Sequence, residues 1–246
     1  MRKTIAIAVL LVSVYALTAQ QEITDPLATE KWNPVPVVVT PGEGTQPPSD
    51  AIILLGKDND LSMWESTKGG KVKWDFDNGT LTVKKNTGGI RTRNYFGDCQ
   101  LHVEWRTPET VSGEGQGRGN SGIFLMERYE VQVLDSYHNR TYSNGQAASI
   151  YKQHIPLVNA CRPPGVWQTY DIIWKAPSFH DDGSLKSPAT ITVLHNGVLV
   201  QNHVEIKGTT SFIGIHTYKH HPERLPIMLQ DHGNPVSYRN IWIREL

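Results

Sequence analysis

Cys99-Gln100-Leu101-His102-Val103-Glu104-Trp105-Arg106 alternates apolar and polar side chains at every step. A period of two belongs to a strand with one face against a core and the other turned away from it. Cys99, Leu101, Val103 and Trp105 then share the inner face, with Cys99 as a small core residue. His102, Glu104 and Arg106 form a polar row on the other face. Tyr129-Glu130-Val131-Gln132-Val133-Leu134-Asp135 repeats the pattern, setting Val131 and Val133 against Glu130 and Gln132. A bulge after Val133 would bring Asp135 round to the side of Glu130 and Gln132.

Working outward, short runs of the same kind recur between turn residues. They cover 51–55, 72–76, 81–83, 99–106, 122–125, 129–134, 169–174, 189–194, 198–201, 212–216, 226–229 and 237–244. Asp77-Asn78-Gly79 and His195-Asn196-Gly197 carry the Asn-Gly pair that suits a type I′ hairpin. Leu61–Trp64 is long enough for one helical turn. Around twelve strands with almost no helix predict an all-β chain of two packed antiparallel sheets. With 246 residues the chain can form such a sandwich undivided. Twenty-four basic and 24 acidic residues balance, so there is no basic face for a nucleic acid. Seven Trp and nine Tyr supply too much buriable surface for a disordered chain.

The N-terminus reads differently. Arg2 and Lys3 precede an apolar run from Ile5 to Leu17, and small or polar residues follow at 18–20. That order describes a secretory signal peptide over residues 1–20, cleaved near Ala19 or Gln20. The run is shorter than the roughly 20 residues of a spanning helix, so no membrane insertion is expected after cleavage. The expected location is the periplasm. Residues 21–49 hold six prolines and are expected to be an extended arm on the domain, with Val35–Val39 a possible edge strand. The domain proper is placed at residues 50–246. An oxidising compartment permits one bridge, Cys99–Cys161, which sequence alone leaves open.

Two stretches break the strand rhythm. Residues 109–120 are glycine-rich, and residues 137–165 form a long connection rich in aromatic and basic side chains. The second is expected to be an ordered lid, since loops of this length in a domain are usually functional. Under it, Glu130, Gln132 and Asp135 would floor a sugar cleft flanked by Tyr151 and Lys152; a plain solvent-facing strand side is the alternative. Glu104 and Arg106 read equally as a cross-strand ion pair or as part of a site. Asn120, in Gly119-Asn120-Ser121-Gly122, can hold the local backbone or a ligand. Gln230 and His232 share a face by alternation, and an imidazole there suits proton exchange near neutrality. His220-His221-Pro222-Glu223 reads as an exposed loop. No metal-ligand spacing occurs, so any metal site would be assembled from distant strands.

Several of these motifs, in order, resemble one bacterial family. They are Leu54-Leu55-Gly56-Lys57-Asp58-Asn59-Asp60-Leu61 with Trp64, Val103–Arg106, Gly119–Ile123, Tyr129–Ser136, Arg162–Asp171, His195–Val198 and Pro226–Leu246. The chain is similar to the 3-keto-disaccharide hydrolase domain over roughly residues 50–246. The resemblance implies a concanavalin A-like jelly roll, a long loop over its concave face, and action on glycosides oxidised at C3. Laminarinases of the wider fold carry Glu-x-Asp-x-x-Glu where this strand has Glu130-x-Gln132-x-x-Asp135, a departure from two-carboxylate chemistry. A C3 ketone acidifies the C2 proton, so a base can remove it and expel the C1 substituent. Glu130, His232 and Lys152 are the candidate bases; Arg106, Lys152 or a bound divalent cation would stabilise the enolate. Gln132, Asp135, Glu104, Asn120, Tyr151 and Gln230 are the expected substrate contacts. The rival reading is a non-catalytic carbohydrate-binding module, since the sandwich is shared with lectins.

Overall fold

The computed structural model describes residues 24–57 and 61–246; the expected signal peptide lies outside them. The chain divides into two units between Val38 and Val39. In the first, a 3-10 turn at Pro26–Thr29 is capped by Asp25, whose side chain accepts the Leu27 N–H. Val35–Val38 forms no strand there.

Among the described residues the second unit has fifteen short strands, two of which, β10 (Ser178–Phe179) and β11 (Leu185–Ser187), pair with each other. One large antiparallel sheet runs β13 (Val198–Glu205), β12 (Thr190–His195), β9 (Gln168–Lys175), β6 (Cys99–Arg106), β15 (Ser237–Glu245), β4 (Thr80–Thr82), β3 (Asp75–Asp77). Beside it, β1 (Ile52–Leu55) pairs with β15. A second sheet runs β2 (Trp64–Ser66), β5 (Ile90–Thr92), β14 (Met228–Leu229), β7 (Ser121–Leu125), β8 (Tyr129–Val133). These are the two packed antiparallel sheets that the alternation predicts, in the jelly-roll sandwich that the resemblance implies. Among the described residues no helix is long and apolar enough to cross a membrane.

The inner faces follow the period of two. Leu101, Val103 and Trp105 of β6, Ile123 and Leu125 of β7, and Val131 and Val133 of β8 are fully buried in one core. Removing a ring such as Trp105 there would cost about 3–5 kcal/mol. Two tyrosines tie the layers across it: Tyr238 donates its hydroxyl to Ser121 (2.7 Å) and Tyr170 to the Gln132 carbonyl (2.8 Å). Both Asn-Gly turns take the expected form, with positive φ at Asn78 and Gly79 and at Asn196 and Gly197.

Several expectations are corrected. Residues 212–216 form an exposed loop rather than a strand, while β2, β5, β10 and β11 were not foreseen. Residues 61–64 turn without a helix, and Trp64 opens β2. Residues 220–223 are a loop with His220, Pro222 and Glu223 exposed, as expected, but His221 turns inward and is buried, its ring bonded to the Tyr129 hydroxyl (2.8 Å). Cys99 and Cys161 are free thiols. Cys99 pairs with Trp174 near the end of β9, whereas Cys161 adjoins Gln168 at its start through the Arg162 N–H. Six residues of strand span about 20 Å, beyond the reach of a disulfide.

The connection over residues 137–165 is ordered, but its first half is a wall rather than a roof. Ala148, Ser149 and Tyr151 exchange backbone hydrogen bonds with Gln132 and Glu130, extending the second sheet past β8. Further on, Leu157 donates to the Val200 carbonyl of β13. The segment thereby closes one side of the sandwich between the edges of its two sheets.

Candidate active site

On β8 the outward positions are Glu130 and Gln132, opposite Phe124 and Gly122 of β7. Met228 is the next residue across from Phe124, and Arg91 the next from Met228. The outer face of the smaller sheet therefore carries Arg91, Met228, Phe124 and Glu130 in one row. Gln230 sits one step along, its N–H bonded to the Gly122 carbonyl. Gly122 makes room for the acid: a Cβ there would lie 2.6 Å from Glu130 Oε1.

Glu130 is buried, with no cationic partner among the described residues. Burial alone pushes its carboxyl up to about 8, since charging it means leaving water without compensation. Its hydrogen-bonding neighbour is an amide. Turning Gln132 so that its nitrogen faces inward places that nitrogen 3.1 Å from Glu130 Oε1 and 3.2 Å from the Ser121 carbonyl. Gln116, from the glycine-rich loop, lies 3.0 Å from the other side of the Gln132 amide. It is fixed in turn by bonds from its own nitrogen to Gly145 and Thr141. The Gln230 side-chain oxygen is buried with no hydrogen-bond partner among the described residues. Buried polar atoms are normally satisfied, so an open acceptor here marks a place for a donor from outside.

The rim is aromatic. The Tyr142 and Tyr151 hydroxyls lie 2.6 Å apart, and burial and the Tyr142 contact push the Tyr151 hydroxyl well up, keeping it a donor. Lys152 has positive φ and donates to the Phe212 carbonyl (2.6 Å). Its ammonium lies 4.0 Å from the Phe212 ring centre, 5.6 Å from Tyr142 and 5.8 Å from Tyr151, within cation–π range of all three.

The other expected site residues lie elsewhere. Asp135 falls beyond the end of β8 and does not join Glu130 and Gln132: Arg118 bonds its carboxylate (2.7 Å) and the Tyr137 N–H bonds its second oxygen. Asn120 staples backbone, its N–H on Asn234 and its amide on the Gln116 carbonyl. His232 is exposed in a separate hollow with Lys68, Lys85 and Asp231. Among the described residues no three His, Cys, Asp or Glu side chains are placed to hold a metal ion, and no step below runs through one.

Glu104 and Arg106 do not share the cleft of Glu130. They lie on β6, whose outward positions face away from the smaller sheet, on the opposite side of the sandwich. Burial would raise Glu104, but the nearby His102 ring, its Nε2 3.9 Å away, and hydrogen bonds from Asn240 and Arg239 outweigh it and hold the carboxyl at about 2. Arg239 bonds one oxygen and Asn240 the other (3.0 Å). A bulge in β15 aims Asn240, at positive φ, at this carboxylate. His102 bonds Asp171 (2.7 Å) and stacks on Trp242. Burial disfavours its cation, yet bonding to Asp171 and Glu104 raises it on balance. Arg106 and Arg239 both lie on the Trp167 ring, at 4.6 and 4.1 Å. A cavity of about 990 Å³ opens on this side, lined by Thr45, Ile53, Met63, Glu104, Arg239 and Asn240 among others. Among the described lining residues the one acid is Glu104, paired with a guanidinium on one oxygen and an amide on the other, so the chemistry is better placed at Glu130.

Gln116, Phe124, Met228 and Phe212 escaped the sequence reading. Gln116 stands alone among glycines, and Phe212 lies in a run that mimics a strand; only the fold brings either to Glu130.

The comparisons with known proteins agree with this architecture. A protein of Parabacteroides distasonis ATCC 8503, described provisionally as a glycosyl hydrolase, superposes with a TM-score of 0.86 at 53% identity. The match covers 90% of this chain and 97% of that one. A second protein of that organism, with the same provisional description, shares the fold at a TM-score of 0.57 and 19% identity, over 80% of this chain and 94% of its own. A comparison with curated proteins finds no match. The domain family described as 3-keto-alpha-glucoside-1,2-lyase-like matches residues 51–244. With most of its length covered and its motifs in order, the chain belongs to this 3-keto-disaccharide hydrolase domain family, a glycosidase-like group of carbohydrate-acting domains.

Proposed function

We propose that the protein cleaves glycosides bearing a ketone at C3, by β-elimination followed by hydration, with Glu130 as the proton-transfer group. The observation that carries this reading is the unpaired Glu130 carboxyl, pushed up to about 8 and set beside side-chain amides on an open sheet face. A group titrating near working pH takes and gives protons with least loss.

In the elimination, Glu130 as carboxylate takes the proton from C2. The C2–H electron pair moves into the C2–C3 bond and charges the C3 oxygen as an enolate. Collapse of the enolate forms the C1–C2 double bond and expels the C1 substituent with its oxygen, which receives a proton. Water added later across that double bond gives the net hydrolysis. Tyr151, kept protonated by burial, and the Gln132 amide turned toward Glu130 supply donors for the growing charge. Lys152 is the cation at the aromatic rim; Arg91, at the far end of the same row, is held by Glu65 and Glu127, and Arg106 is on the other side. The direct two-carboxylate route lacks its second acid: Gln132 is an amide and Asp135 is held by Arg118.

Incubation with methyl 3-keto-glucoside and with its unoxidised parent tests the reading. Cleavage of the ketone alone is expected. Cleavage of the parent would indicate an ordinary glycosidase, and binding of both without turnover a carbohydrate-binding module. The basic, apolar, then small-residue order of residues 2–20 supports action in the periplasm, which fractionation of cells with and without that segment checks.

A further inference from the structure

Residues 209–217 form a closed loop that the proposed chemistry does not use. The Thr209 N–H bonds the Thr217 carbonyl at its base, and within it the Ser211 hydroxyl bonds the Ile213 carbonyl. The tip, Ser211-Phe212-Ile213-Gly214-Ile215, turns at Gly214 with φ +98. Phe212 is 68% exposed, Ile213 80% and Ile215 90%. Isolated apolar side chains on a surface need no explanation, but three on one short tip do.

The loop is fastened to the candidate cleft at two points. Thr210 accepts the Glu130 backbone N–H through its hydroxyl (3.0 Å), and its own N–H bonds the Arg128 carbonyl (2.8 Å). Phe212 receives the Lys152 ammonium on its carbonyl and against its ring. One side of Glu130 is thus lined by amides suited to sugar hydroxyls, and the neighbouring side by Tyr142, Tyr151 and an apolar tip. A glycoside with an alkyl or aryl aglycone has the same division into a polar and an apolar half.

We infer that the 209–217 loop is the aglycone subsite, and that the protein prefers 3-keto-glycosides with an apolar alkyl or aryl aglycone over disaccharides. This rests on the elimination reading, because it assigns the loop to the departing group at C1. The loop binds and selects; it carries no proton.

Methyl and hexyl 3-keto-glucosides test it, since their leaving alcohols differ little in acidity and differ mainly in apolar area. The wild type is expected to show a kcat/KM about tenfold higher for the hexyl compound, carried by KM, the size of effect that apolar contacts produce. The double variant Ile213→Ser/Ile215→Ser, at exposed positions, should lose that preference and leave the methyl value unchanged. Calorimetric titration of unoxidised hexyl and methyl glucosides reads the same contact without turnover. Tighter hexyl binding that the variant loses supports the subsite even if neither ketone is cleaved, an outcome that would sink the elimination reading alone. Equal methyl and hexyl values in the wild type, or a preference the variant keeps, overturns the subsite. So does a tip that drives self-association, seen as a dimer in sedimentation that the variant abolishes, with no change in aglycone preference.

Discussion

Glu130 and Glu104 are both buried glutamates on outward strand positions, one on each side of the sandwich, and their environments drive them apart. Glu104 is clasped by Arg239, Asn240 and His102 and lies at about 2; Glu130 meets an amide and no cation and lies at about 8. Burial alone raises a carboxyl, and only paired hydrogen-bond donors and charges reverse it. The paired acid is permanently ionised and ties β6 to β15. The unpaired one is left able to exchange a proton. Burial therefore identifies neither as functional; the partners decide.

The largest effect should come from Glu130→Gln, which keeps shape and removes the proton. Turnover of 3-keto-glycoside should fall by about 10³-fold with the fold retained, the usual scale for a general base. Glu104→Gln should leave turnover within a few-fold, and a large loss there would break the contrast.

The next effect is on stability and has opposite signs at the two sites. Glu104→Ala strands Arg239 and should destabilise by about 2 kcal/mol at pH 7, less than for a fully buried pair because Arg239 is partly solvated. The Glu104 carboxyl is lowered from 4.5 to about 2, so its contribution is present above 4.5 and lost as pH falls through about 2. Glu130 is raised from 4.5 to about 8, so the folded state is spared below 4.5 and penalised progressively up to about 8. Glu130→Gln should be more stable than wild type at pH 8, by up to about 4 kcal/mol, and no different at pH 4. Thermal melts at the two pH values read both signs.

A third prediction concerns rate against pH. If Glu130 is the base in its ionised form, kcat/KM rises from pH 6 through 8 and levels above that; a profile that falls over this range would make it the acid instead. The smallest effect is the absence of one: a thiol reductant should leave the melting temperature unchanged, since Cys99 and Cys161 are free.

Alternation made β6, β8, β9 and β15 legible, because each has one face in the core and the period of two survives in the residues. Three-residue strands such as Ile90–Thr92 carry too few positions to show a period, and Phe212–Ile215 is apolar enough to imitate one. For the site, Glu130 and Gln132 were legible as neighbours on one strand face. Glu104 and Arg106 looked like candidates of equal standing, because alternation tells which face of its own strand a side chain takes and not which sheet that strand joins. Asp135 was misplaced for a related reason: Arg118, seventeen positions earlier, claims it, and no local pattern reports such a partner.

The most direct measurement follows the C2 proton of methyl 3-keto-glucoside by NMR in D2O with wild type, Glu130→Gln and Glu104→Gln. With wild type and Glu104→Gln, the C2 signal should disappear by exchange or elimination, well above the rate without protein; with Glu130→Gln it should persist. Loss of the signal with Glu130→Gln at the wild-type rate, or its persistence only with Glu104→Gln, would contradict the account and move the chemistry to the other face of the sandwich.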